Sequence, residues 1–119
     1  MQKVSLANKF AQFSDHWSPK VVGAVDDYEI KLVKVEGTFT WHKHDDEDEM
    51  FLVVGGNLTI KLRDQDIELD EGEFFVVPKG VEHCPHARRE AQILVFERRG
   101  VINTGDVRDA RTVLQPESM

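Results

Sequence analysis

From Val21 onward, short apolar and β-branched runs are cut by turn signals at Asp26-Asp27, Gly37, Gly55-Gly56-Asn57, Asp64-Gln65-Asp66, Asp70-Glu71-Gly72, Pro78-Lys79-Gly80 and Arg88-Arg89-Glu90. No helix-length periodic segment interrupts them, so the pattern predicts an antiparallel sandwich or barrel rather than alternating strands and helices. Leu58, Ile60 and Leu62 alternate with Thr59 and Lys61, as in a half-buried strand. The run Glu49-Met50-Phe51-Leu52-Val53-Val54 does not alternate, so both of its faces call for cover. Upstream, Leu6, Phe10, Phe13 and Trp17 form one stripe of a short helix that Ser18-Pro19 stops. The stripe predicts packing against the main body; a lid over a pocket is the sharper alternative. After Gly100 the chain reads as a turn and a weakly structured end.

These elements fit one domain over residues 1–119: an N-terminal helix in 1–19, an all-β core over about 20–100 and a tail over 101–119. Phe51, Val53, Leu58 or Leu62, Phe75, and Ile93 or Val95 are expected to line the interior. Phe39 and Trp41 are expected on the strand face opposite His42 and His44. Their need for cover, with that of the two-faced run, predicts a homodimer.

The net charge of −7 argues against a nucleic-acid partner, which needs a basic surface, and against an anionic membrane surface. No apolar segment approaches a membrane span, and the first residues carry no continuous apolar stretch of a secretory signal. Cys84 is the single cysteine, so no intrachain disulfide forms. A cytoplasmic location is the expectation.

The chemistry concentrates in the stretch WHKHDDEDEMF, residues 41–51. On a strand, His42 and His44 share one face, with Thr38 and Thr40 below them. Two neutral imidazoles satisfy one another poorly, whereas a divalent metal satisfies both. Five carboxylates follow, from Asp45 to Glu49. The first four suit a solvated turn. Glu49 has the parity of Phe51 and Val53 and is expected to point inward beside the histidines.

Gly37, His42, His44, Glu49 and Gly56 read as G-x4-H-x-H-x4-E-x6-G, and Gly72, Pro78, Gly80 and His83 as G-x5-P-x-G-x2-H. This pair resembles the two motifs of the cupin superfamily, in order and at a fitting separation. The first spacer is one residue shorter than usual, and Ala87 stands where an Asn often occurs. The resemblance implies a small jelly-roll β-barrel in which His42, His44, Glu49 and His83 hold one divalent metal. Three imidazoles and a carboxylate suit Mn, Fe, Co, Ni, Cu or Zn and leave open positions for a substrate.

Other polar residues carry weaker roles. His86 reads as a surface residue, or as a support or substrate contact if Pro85 breaks the strand register. Arg88 and Arg89 read as a charged hairpin turn, with an anion clamp as the alternative. Lys43 is expected outward, Cys84 as a small buried residue and His16 at the end of the helix.

Three functions compete. One is a metalloenzyme of dioxygenase, isomerase or lyase type on a small, partly apolar substrate, with Glu49 as a possible base. Another is a non-catalytic small-molecule binding or sensing module. The third is storage, which has no use for a complete ligand set. Small single-domain cupins are likened to phosphomannose isomerase, but this chain lacks that enzyme's additional domains.

Overall fold

A computed structural model describes all 119 residues. One helix, α1 (Leu6–Phe10), precedes the strands β1 (Lys20–Val25), β2 (Tyr28–Thr38), β3 (Glu49–Gly55), β4 (Asn57–Leu62), β5 (Asp66–Asp70), β6 (Phe74–Val77), β7 (His83–Arg98) and β8 (Glu117–Ser118). The architecture is the expected all-β jelly roll with a short N-terminal helix.

Strand β7 organises the sheet. On one side it pairs with β2 along most of its length. On the other side its start pairs with β4, from Leu62↔His83 to Thr59↔His86, and its end pairs with β3, from Val53↔Ile93 to Glu49↔Glu97. The hydrogen-bonded path runs β5-β4-β7-β2-β1-β8, with β6 joined through β3. β5, β6 and β8 each have one neighbour, so the sheet wraps into a barrel shape without closing.

Alternation within these strands sends one set of side chains inward. Phe51, Val53, Leu58, Ile93 and Val95 share one core cluster, and Leu62 and Phe75 pack against it. Arg88-Arg89-Glu90 does not form the expected turn. β7 runs through it in one 16-residue strand, and the three residues bulge out of the β2 ladder between Ala87 and Ala91. The ladder shifts register between Val35 and Gly37, where Gly37 has φ +85°, a conformation other residues rarely adopt.

The N-terminal stripe divides where a continuous helix was expected. α1 is only five residues long, capped by the Ser5 hydroxyl accepting from Asn8 N at 3.2 Å. Phe10, with Leu6 and Phe13, packs on the outside of the sheet against Val22, Leu32 and Val54. Trp17 instead turns into the barrel with φ +61° and stacks on Phe39, ring centroids 4.5 Å apart. An aromatic stack beside a core cavity gains more than another helical turn at the surface. His16 accordingly lies beyond the helix, with Nε2 3.0 Å from Glu90 Oε1.

The tail is fixed in place. Thr104 is fully buried, and Asn103 Nδ2 donates to Trp17 O and Arg111 O. β8 adds to β1 in parallel, and buried Lys20 reaches both Asp15 at 2.8 Å and Glu117 at 3.3 Å. The weakly structured end expected from composition is instead a strap across the barrel mouth.

Candidate metal centre

After Thr38 the chain leaves regular strand geometry, and His42 rejoins the sheet by a single bridge to His83. His42 N donates to His83 O at 3.0 Å, and His83 N donates back to His42 O at 2.9 Å. This exchange sets the two imidazoles side by side, ring centroids 4.3 Å apart. His44 completes the turn of chain, and Glu49 enters from the first position of β3. The ligand-capable atoms of His42, His44, Glu49 and His83 all lie within 4.8 Å of one another, and all four residues are buried.

The backbone selects which ring nitrogen faces inward. His42 Nδ1 lies 2.7 Å from Thr40 O, and His83 Nδ1 lies 3.0 Å from Val81 O. A carbonyl only accepts, so each Nδ1 carries hydrogen and each Nε2 presents a lone pair. One Glu49 oxygen, Oε1, lies 3.2 Å from His44 Nε2 and 3.3 Å from His83 Nε2. These contacts are out of line for hydrogen bonds, and all three atoms are buried without a partner. Buried polar atoms are normally satisfied, so three orphans aimed at one point fit a cation between them.

The protonation pattern agrees. Burial, and then the neighbouring His83, push His42 down to about 4. Burial also presses on His44, but contact with Glu49 outweighs it and holds His44 above its ordinary value. For Glu49 burial acts upward; contacts with His44, His83 and Glu97 overcome it and hold the carboxyl well below the usual range. The centre therefore offers a carboxylate and a neutral His42 at neutral pH, the forms that bind metal.

Of the five consecutive acids, Asp45, Asp46 and Asp48 are exposed and Glu47 is half-buried, whereas Glu49 is only 5% exposed. Asp48 accepts from Lys79 N at 2.9 Å, and Lys43 points outward to Asp45 at 2.9 Å. Three neighbours depart from strict alternation, because the ladder shifts register before Gly37 and the strand ends at Thr38. Phe39 turns inward, its ring edge-on to His42 at 5.6 Å. Thr38 and Thr40 turn outward: Thr38 Oγ1 lies 2.8 Å from His86 Nδ1, and Thr40 Oγ1 donates to Asp109. His86 therefore stands apart from the centre, and Arg88 and Arg89 are exposed on β7. Cys84 is buried, as expected.

Two features of the site escaped the sequence reading. Glu97, on β7, is 3% exposed and directly opposite Glu49. Burial, followed by the adjacent Glu49 charge, holds it well above the usual carboxylate range, although buried Lys31 lies 3.1 Å away. Its parity with Ile93 and Val95 was the available signal. The other is the strap. Asp106 Oδ1 accepts from Lys43 N at 3.0 Å, and Asp106 N donates to Lys43 O at 3.1 Å. Gly105, at φ +58°, passes so close that a Cβ there would meet His42 Cδ2 at 2.9 Å and the Lys43 carbonyl closer still. The cavity beneath, lined by Trp17, Phe39, His42, Glu49, Phe51 and Glu97 among others, leaves about 40 Å³ free. That is room for roughly three waters.

Comparison with known proteins now decides the family, because the pattern described as Cupin domain matches residues 30–97, more than half of the chain. The chain belongs to the cupin family. A crystal structure of a cupin-2 domain protein from Shewanella frigidimarina superposes with a TM-score of 0.80 at 51% identity, covering 81% of this chain and 94% of that one. The cupin is also 30% identical over 81 residues to the uncharacterized protein YdbB of Bacillus subtilis, covering 67% of this chain and 69% of that protein. A shorter stretch of 56 residues is 34% identical to 3-hydroxyanthranilate 3,4-dioxygenase of Xenopus tropicalis, covering 44% of this chain and 20% of that protein. No helix of the cupin is long and apolar enough to cross a membrane.

Proposed function

We propose that this cupin is a metalloenzyme acting on a small organic substrate through one divalent transition metal held by His42, His44, Glu49 and His83. The observation that carries the reading is the convergence of His44 Nε2, His83 Nε2 and Glu49 Oε1, all buried and unpartnered. When bound, the metal supplies Lewis acidity, or dioxygen chemistry if it is iron, nickel or copper. The chain's own part is to hold the imidazoles in one tautomer through Thr40 O and Val81 O, and to exclude water with Trp17, Phe39 and the strap. Bases work best when their pKa lies near the working pH. Glu49 lies well below it, so we assign Glu49 the ligand role ahead of the base role. The local likeness to a dioxygenase supports the oxidative form of the reading. Elemental analysis of protein purified without added metal tests it: iron, nickel or copper is expected for dioxygen chemistry, and zinc or manganese for an isomerase or lyase. A metal-free protein that cannot be loaded contradicts it.

A binding or sensing module is the second reading, and the lining of the cavity favours it, since His42, Glu49 and Glu97 are its only titratable groups. Turnover of no candidate substrate, with tight binding of a small ligand, selects this reading.

The same proposal includes a cytoplasmic homodimer. Phe74 and Val76 on edge strand β6 are 61% and 41% exposed, beside Met50 and Phe96. Asp46, Glu47 and Asp48 share that surface with Lys79 and Arg98, so both signs of charge are present for a self-complementary contact. Phe74→Glu is expected to halve the mass measured by light scattering; an unchanged mass points to another interface.

A further inference from the structure

The interior wall facing the metal centre carries a second polar group that no ligand role explains. Glu97 and Glu49 are directly opposed across the β3–β7 ladder, and both line the cavity beside the metal centre. Like charges directly opposite are unfavourable on a sheet, and more so when buried. Lys31, 1% exposed on β2, holds Glu97 Oε2 at 3.1 Å, and also lies 3.5 Å from Val101 O and 3.9 Å from Glu29. Glu97 Oε1 remains buried without a partner. Glu97 is not among the four residues whose ligand atoms converge, so it lies beside the centre on the same cavity.

A buried ion pair contributes little to stability compared with an apolar replacement of the same volume. Three buried ionisable side chains on neighbouring strands therefore call for another reason, and their order supplies one. Lys31 fixes Glu97, Glu97 lies directly opposite Glu49 on the ladder, and Glu49 presents Oε1 to His44 and His83. We propose that Glu97, anchored by Lys31, is a positioning residue that sets the orientation of the Glu49 carboxylate at the metal centre. The inference rests on the four-ligand reading above. Outer partners of this kind typically alter metal affinity by about 10–100-fold.

Two conservative variants separate positioning from simple charge pairing. Glu97→Gln keeps the length and shape of the side chain but gives up the charge opposite Lys31. Glu97→Asp keeps the charge but draws the carboxyl back by one methylene. Each is stripped and titrated with Co(II), reading the dissociation constant and the visible absorption spectrum, which reports cobalt coordination; circular dichroism checks the fold. Glu97→Gln is expected to bind Co(II) within about threefold of wild type with an unchanged spectrum. Glu97→Asp is expected to bind about tenfold more weakly with an altered spectrum. If Glu97→Asp binds as wild type does, or Glu97→Gln is the weaker binder, Glu97 is only the counter-ion of Lys31 and the proposal is overturned. Failure of the wild type itself to take up Co(II) overturns the four-ligand reading, and this one with it.

Discussion

Two buried polar clusters share one barrel interior. In one, Lys31 supplies Glu97 with a cation from within the chain, at 3.1 Å. In the other, His42, His44, Glu49 and His83 converge with no lysine or arginine among them, and three of their inward atoms lack partners. The first cluster neutralises itself largely through its own residues. The second is complete only with something added. Similar burial with unequal satisfaction, one orphan atom against three, distinguishes a support from a site.

The largest test of that contrast removes a ligand. His83→Ala is expected to abolish metal uptake, read by elemental analysis, while circular dichroism still shows the strands; retained stoichiometric metal would move the site elsewhere. Lys31→Met should act chiefly on stability. Breaking a buried pair from one side is expected to cost about 3 kcal/mol in chemical denaturation, and Lys31→Met with Glu97→Leu together should recover most of it. A double variant no better than the single one would mean that the pair itself stabilises the fold.

Acid distinguishes the clusters more finely. Folded His42 takes its proton only near pH 4, against 6.5 for the unfolded residue. The unfolded chain therefore binds that proton first as pH falls. His42 contributes metal-free stability in full above about pH 6.5 and loses it progressively toward pH 4, by about 3 kcal/mol. Comparing denaturation of metal-free wild type and His42→Gln across that window isolates the contribution. Equal slopes would show that His42 is not held neutral. The smallest effect is expected in the acidic turn. Asp46→Asn with Glu47→Gln should change stability by less than about 0.5 kcal/mol and leave metal content unchanged, since neither residue belongs to the converging set.

How far the sequence disclosed each cluster follows from local geometry. The four converging residues lie in two motifs with fixed spacings, and Glu49 shares strand parity with Phe51 and Val53, so their meeting was legible. Lys31 and Glu97 sit singly in long strands, where a lone charge reads as an outward residue until its neighbours' burial is known. Phe39 and the two threonines were misplaced because alternation holds only along a regular strand, and the Gly37 bulge ends it. The strap was missed for a related reason. Its order comes from Asn103 donating to Trp17 O and Asp106 accepting from Lys43 N, residues far away in the chain, and composition carries no trace of such contacts.

Crystals soaked with Mn(II) or Zn(II) give the most direct measurement, through the anomalous difference map. A single peak is expected about 2.0–2.2 Å from the Nε2 atoms of His42, His44 and His83 and from a Glu49 oxygen. A peak among Asp45, Asp46 and Asp48 at the surface, or none inside the barrel, would contradict the metal centre.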